Sequence, residues 1–351
     1  MSNFIVTHTP YFKKQVLNEL GLIDDNIKVV KKFDDSIMLI ETMMEQKNFI
    51  DALKSSKPIF IKHICPASHK IAIVGELDKD KKTILESVLN ENIVVLENEK
   101  FAIQCRIVCG GLPQNKFEYS SKDIEVFVGT YFTDIGGIPT FSDRNIVNAG
   151  DIKIISIFIN EFDVYFGVST SCDNLNFSCD EFRIASKAGG REISRAENKL
   201  KEALAKYNLS LNGNGSVALD IGAAPGGWTK VLLDHGYNVV AVDPGELKQE
   251  LRDNPKVKHY KCRIEDLNFN NYFDIIVNDM NVDPQITASI MNSLAHCLKE
   301  KGKAIVTFKL PEKPMQSINE GKAIISEQYN VLSINSLFHN RQEVTVFVEK
   351  K

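Results

Sequence analysis

The sequence predicts an α/β fold over residues 194–351, a mostly parallel sheet with a C-terminal antiparallel strand, preceded by α+β domains. Two observations carry this reading. From Ser216 onward, short β-branched runs alternate with helical stretches: SVALDI, GGWTKVLLDH, NVVAVD, DIIVND, ITASIMNSLAHCLKE and KAIVTFKL. Fully apolar strands in such alternation indicate a parallel sheet covered by helices on both faces. After the amphipathic INEGKAIISEQ, the runs VLSINSLF and EVTVFVEK are separated only by His339, Asn340, Arg341 and Gln342. So short a connection permits only antiparallel neighbours.

The first half reads as short α+β units: FIVTHT, a helical PYFKKQVLNELGL, NIKVVKKF, SIMLIET, a helical EQKNFIDALKSS and IFIKHIC. A second group begins near Phe101 with FAIQCRIV and continues through a helical SKDIEVFVGTYFTDI, KIISIFIN and VYFGVSTS. These groups divide the chain into an α+β domain at 1–98, a second domain at 99–180, a linker at 181–193 and the α/β domain at 194–351. The linker mixes Gly189 and Gly190 with charges and enters a helix at Ser194.

Composition sets limits on function. With 351 residues, 43% hydrophobic and 25% charged, the chain is long enough for two or three ordinary domains. No apolar run approaches the roughly 20 residues of a membrane helix. The first residues lack the basic and apolar regions of a secretory signal, so a cytoplasmic protein is expected. Seven scattered cysteines without a CxxC pair are expected to be reduced, buried thiols, and no zinc-ligand spacing occurs. A formal net charge of −4 excludes a generally basic coat, so any nucleic-acid contact must come from local patches.

The strongest local signal is LDIGAAPGGWT, Leu219 to Thr229, between an expected strand and an expected helix. Gly222, Gly226 and Gly227 let backbone approach a ligand, and the helix start offers N–H groups. A simple tight turn is the plain alternative. A nicotinamide dinucleotide is the sharper one, but the glycines miss the G-x-G-x-x-G spacing and Pro225 removes an N–H that a pyrophosphate would use. S-adenosylmethionine has no pyrophosphate and loses little by this. Asp243, about 20 residues on, ends the next strand where a carboxylate can accept ribose hydroxyls. Asp266, after a further short strand, is placed to accept from an adenine amino group or to be a solvated loop residue.

DIGAAPGGWT resembles the signature of the FtsJ-like ribose methyltransferases, Rossmann-like enzymes that use S-adenosylmethionine. The resemblance extends to NDM with Pro284, to FKLP at Phe308 to Pro311, and to LFHNRQEVTVFV, and covers roughly Ser194 to Lys350. It is nearest to the branch that methylates bacterial 23S ribosomal RNA, although Ala224 stands where that branch usually has cysteine. The family's lysine, aspartate, lysine, glutamate set falls on Lys199, Asp279, Lys309 and Glu343, which the resemblance implies are catalytic. It implies cofactor contacts at Ser194, Gly222, Ala224, Pro225, Gly226, Gly227, Trp228, Asp243, Asp266 and Asp279. FAIQCRIV, KIISIFIN and VYFGVSTS resemble a THUMP domain, an RNA-binding module, and the implied partner is RNA, with ribosomal RNA expected.

The chemistry suggests a division of roles. A ribose hydroxyl is a poor nucleophile, and a neutral amine beside it can take its proton. Lys309 is the expected base, with Lys199 as the cation that depresses its pKa or holds the oxygen, and Asp279 and Glu343 as orienting carboxylates whose charge works against deprotonation, which leaves the net pKa open. The sulfonium supplies the positive charge, so no metal is expected. Arg195 and Arg341 are candidates for phosphate contacts. Trp228 either walls the cofactor pocket or packs its helix, and Phe308 either stacks a base or lies in the core. A methyltransferase of protein or of a small molecule, methylation of transfer RNA, or a non-catalytic RNA-binding protein are the competing functions.

Overall fold

The computed structural model describes residues 1–108, 117–140, 152–174, 193–194, 196–207, 209, 213 and 215–351. The chain divides into two compact units, Met1–Glu181 and Phe182–Lys351.

In the first unit the described residues form two sheets. One is four-stranded, from β1 (Ser2–His8), β2 (Lys28–Lys32), β3 (Ile37–Thr42) and β4 (Ile61–Pro66), in the order β2-β3-β1-β4, all antiparallel. It is accompanied by helices α1 (Lys13–Gly21) and α2 (Gln46–Ser56). The other sheet follows the order β5-β9-β8-β6-β7, from β5 (His69–Ala72), β6 (Lys100–Val108), β7 (Ile138–Pro139), β8 (Lys153–Asn160) and β9 (Asp163–Thr170), with α3 (Leu77–Asn90) and α4 (Ser121–Asp134). Strand β5, on one side of Asn98, pairs with β9 on the other, and α3 shares a buried core with α4 and β8. Segments on both sides of the expected Asn98 boundary therefore build one sheet. Strand β5 has only four residues, HKIA, too few to show a strand pattern in the sequence.

The second unit begins its described elements with α5 (Ala196–Lys206). It continues with β10 (Val217–Ile221), α6 (Gly227–Asp234), β11 (Asn238–Val242), α7 (Gln249–Arg252) and β12 (Val257–Tyr260). Then come β13 (Phe273–Asn278), α8 (Pro284–Ser293), β14 (Leu298–Lys309), α9 (Pro314–Ile325), β15 (Tyr329–Asn335) and β16 (Glu343–Lys350). The sheet order is β12-β11-β10-β13-β14-β16-β15. The first five in that order are parallel, and β16 runs antiparallel to both β14 and β15. This is the expected mostly parallel sheet with one C-terminal antiparallel strand, β16. Strands β10, β11 and β13 are nearly all buried because helices cover both faces, which is why their sequences are continuous apolar runs.

One helix is shorter than its sequence suggests. The stretch ITASIMNSLAHCLKE leaves the helix after Ser293, makes a single tight turn over Ala295–Cys297 and enters β14 at Leu298. Leu298 pairs with Phe273 and is fully buried, and Tyr272 donates its N–H to the Cys297 carbonyl at 2.8 Å. Sheet pairing thus takes the backbone groups a longer helix would have used. Phe308 lies wholly in the core, so it is no platform for a base. Phe308→Ala is expected to lower stability by about 4 kcal/mol. A fall in Tm of roughly 10 °C, seen by calorimetry, is the check.

Candidate active site

The carboxyl ends of β10, β11 and β13 are brought level by register: Ile221 pairs with Val242 on one side and Asn278 on the other. Ligand sites of open α/β sheets form at this edge. The glycine turn leaves β10 there. Gly222 has φ +73°, and a Cβ at that position would stand 3.2 Å from the Met280 backbone. Gly226 has φ +115°, and a Cβ there would collide with the Leu251 side chain. Both positions therefore require glycine, one to pass the β13 end and the other to pack against α7.

Gly227 serves a similar end, since a Cβ would collide with Ser194 Oγ. Ser194 Oγ is buried and has no hydrogen-bond partner among the described residues. The face of the turn open to a ligand consists of Gly222, Ala224 and Pro225, while Gly226, Gly227 and Trp228 are buried. Trp228 is a correction to the pocket-wall alternative. Its ring lies in the core with Leu200 and Ala203, and its Nε1–H donates to the Ala196 carbonyl at 2.7 Å, so it fastens α5 to α6.

Asp243 closes the turn. Its Oδ2 accepts from Ala224 N at 3.1 Å and its Oδ1 from Gly245 N at 2.6 Å. Each oxygen retains lone-pair capacity for a ligand hydroxyl. Below the turn, Asp220 is buried and accepts from Thr229 Oγ1 at 2.6 Å. Burial pushes its carboxyl up to about 7, the Asp279 and Asp243 charges add to this, and the Thr229 hydrogen bond opposes it. Asp266 is exposed and accepts from the N–H of Arg263 in its own turn. The orphaned Ser194 hydroxyl, the turn held open by glycine and the Asp243 carboxylate together fit a nucleoside-bearing ligand.

Beside the turn four side chains meet in a ring of alternating charge. Lys309 Nζ donates to Asp279 Oδ1 and to Glu343 Oε2, each at 3.0 Å. Lys199 Nζ lies 3.4 Å from Asp279 Oδ2 and 2.6 Å from Glu343 Oε1. The second of these is the shortest contact in the ring. All four side chains are at most 20% exposed. The strands dictate the meeting: Asp279 follows the end of β13, and Lys309 at the end of β14 is the direct cross-strand partner of Glu343 at the start of β16.

The ring decides a sign that the sequence leaves open at Lys309. Burial alone would lower its pKa, but Asp279 and Glu343 outweigh it and hold the ammonium above its ordinary value. Glu343 is the mirror case, with burial raising its carboxyl and the Lys199 and Lys309 charges bringing it below the usual range. Lys309 is therefore a cation, since two carboxylates in contact outweigh one neighbouring lysine.

Two residues not singled out in the sequence hold this arrangement. Glu197 is buried and accepts from Ile193 N and Ser194 N, while Ser194 O accepts from Glu197 N, fixing the entry to α5. The S-x-x-E spacing of a capping box was its signal. Glu202, also buried and three residues beyond Lys199, accepts from Phe338 N, His339 N and His339 Nδ1. It anchors the loop that leads into Glu343, and nothing local in the sequence marks it. Arg341 is exposed, and Arg195 lies outside the described residues. Cys65, Cys105 and Cys297 are buried as expected, but Cys172 is exposed on a surface turn and Cys262 half-buried. Cys109 and Cys179 lie outside the described residues.

The linkage signs follow from these shifts. Glu343, depressed in the folded state, stabilises above the unfolded value near 4.3 and loses this as pH falls through its folded pKa. Lys309, raised, stabilises below about 10.4 and loses this as pH rises through its folded value. Glu343→Gln is expected to cost roughly 3 kcal/mol at neutral pH, with the deficit shrinking in acid below about pH 4. Urea titrations of both proteins across pH will show whether the deficit fades or stays constant.

Comparison with known proteins agrees with this architecture. Residues 193–324 match the model of the FtsJ-like methyltransferase family. Ribosomal RNA large subunit methyltransferase M of Marinomonas sp. is 34% identical over 53% of this chain and 56% of its own length. Its counterpart in Halorhodospira halophila is 32% identical over 45% of this chain and 47% of its own. The chain thus matches about half the length of these relatives. An uncharacterized protein of Methanocaldococcus jannaschii is 26% identical over 99% of this chain and 98% of its own. Residues 193–324, the stretch that matches this family model, carry the glycine turn, Lys199, Asp279 and Lys309 on a Rossmann-like fold preceded by further N-terminal structure.

Proposed function

We propose that this chain is an S-adenosylmethionine-dependent methyltransferase that modifies a ribose 2′-hydroxyl of RNA, with 23S-type ribosomal RNA as substrate in a cytoplasmic setting. The observation that carries the reading is the ring of Lys199, Asp279, Lys309 and Glu343 beside the open face of the glycine turn. The similarity to ribosomal RNA large subunit methyltransferases M supports the substrate class. The proposed catalytic domain is 194–351, after a linker at 181–193, and the THUMP-like strands within 99–180, in the sheet they share with β5, would hold RNA.

The cofactor, when bound, supplies a methyl on a sulfonium. Gly222, Ala224 and Pro225 would lie against it, Ser194 Oγ and Asp243 would take its polar groups, and Asp266 would meet the adenine. The chain's own residues then act on the acceptor. Lys199 and Lys309, as ammonium groups, hydrogen-bond the 2′-oxygen and hold it in line, a contribution of position and charge. Asp279 and Glu343 fix the two ammoniums. Because Lys309 is already protonated, the hydroxyl proton leaves after the C–O bond begins to form, when the oxygen has become strongly acidic, and passes to water. No free amine is then required.

Two measurements test this. Lys309→Ala is expected to bind cofactor as the wild type does and to lose about 10²-fold in methyl transfer to RNA, scored with labelled cofactor and ribonuclease-sensitive product. Wild-type turnover by that variant would sink the assignment. A cationic Lys309 also predicts a pH–rate profile that is flat between about pH 6 and 9, whereas a lysine base titrating above 10.5 would give a tenfold rise per unit.

A further inference from the structure

We infer that the open edge of the seven-stranded sheet, along β12 and the segment that follows it, is a stacking platform for single-stranded RNA, an inference that rests on the RNA reading above. Strand β12 has a sheet neighbour only on one side. Along its face runs a continuous row of side chains. Lys258 Nζ stands 4.8 Å above the ring of Tyr260, Tyr260 meets Phe269 edge-on at 6.3 Å, and Phe269 stacks on Tyr272 at 5.6 Å with 23° between planes. The row is rooted by Phe273, fully buried and in edge contact with both Phe269 and Tyr272.

Rings that served only the core would be covered. Here Tyr260 and Phe269 are half-buried and Tyr272 is 46% exposed. The row begins at the level of the site, because Tyr260 pairs with Val242, which pairs with Ile221, which pairs with Asn278. It then leaves the edge strand and follows the connecting segment to Tyr272, directly before β13 in the middle of the sheet.

Charge selects the occupant. Between positions 252 and 263 there are five cations, Arg252, Lys256, Lys258, Lys261 and Arg263, against one carboxylate, Asp253, in a chain whose net charge is −4. Glu246 pairs with Arg252 and Lys261. Lys256, Lys258 and Arg263 are exposed and have no carboxylate partner among the described residues. Exposed rings interleaved with unneutralised cations suit a single-stranded nucleic acid, whose bases stack on the rings while its phosphates meet the cations. A duplex, with its bases already stacked, would use the cations alone.

The test uses the full chain, a fluorescent single-stranded RNA oligonucleotide and the matching duplex, with Kd measured by anisotropy over a salt series. Tyr272→Ala is expected to weaken single-strand binding roughly 5- to 100-fold and to leave duplex binding nearly unchanged. Lys258→Glu, at an exposed position that does not endanger folding, is expected to weaken both and to reduce the salt slope by about 0.7 or more. In methylation assays both variants should raise KM for RNA with kcat unchanged. Wild-type Kd, salt slope and KM in both variants would overturn the platform while leaving RNA methylation standing. A wild-type chain that neither binds nor methylates RNA would overturn the proposed function and the platform together.

Discussion

Two ammonium groups and two carboxylates cannot be drawn out of water into the same few ångströms unless each charge faces its opposite. Desolvation of such groups costs several kcal/mol per ion, and here the return comes from four contacts of 2.6–3.4 Å. The antiparallel insertion of β16 between β14 and β15 makes this geometry available, because it sets Glu343 directly opposite Lys309. A parallel strand in that slot would bring its carboxyl end, not its first residue, to this edge. The last strand's direction is thus the constraint on which the site depends, and Glu202 and Asn340 hold the loop that reverses the chain just before it.

How much of this was legible in the sequence varies with how local each cause is. The apolar runs of β10, β11, β13 and β14 announce a buried parallel sheet, and four residues between the last two runs announce the antiparallel pair. The convergence of Lys199, Asp279, Lys309 and Glu343 was readable through family resemblance, since positions 199 and 343 have no periodic relation to each other. The charge state of Lys309 was not legible. It depends on which neighbours touch the ammonium, and two carboxylates in contact reverse the effect expected from one nearby lysine. Residues with both a local and a tertiary use, such as Trp228 and Phe308, were also undecided by sequence, and packing resolves both toward the core.

Helix α5 shows how one element can serve several ends of the site. Its first turn, held by Glu197, keeps Ser194 against Gly227. Its middle sends Lys199 into the ring, and one turn further Glu202 takes three donors from the loop at Phe338 and His339. Residues at i and i+3 share a helix face, so Lys199 and Glu202 necessarily move together. Trp228 ties the same helix to α6, directly after the glycine turn. The turn, the ring and the last loop are therefore linked mechanically, and a shift of α5 would disturb all three.

The distribution of charge gives the two sides of the site different preferences. Asp220, Asp243 and Asp279 gather around the turn, close enough that the latter two help push Asp220 up to about 7. The ring itself sums to zero, with its two cations balanced by Asp279 and Glu343. Under the proposed function a cationic methyl donor would face the acidic side and an anionic RNA the side holding the ammoniums. Asp279 belongs to both groups, since one carboxylate contacts both lysines and also acts on Asp220. It is the residue through which the occupancy of one side would be felt electrostatically at the other. Its place just past the end of β13, in the middle of the sheet, is the point where a single short side chain can reach both.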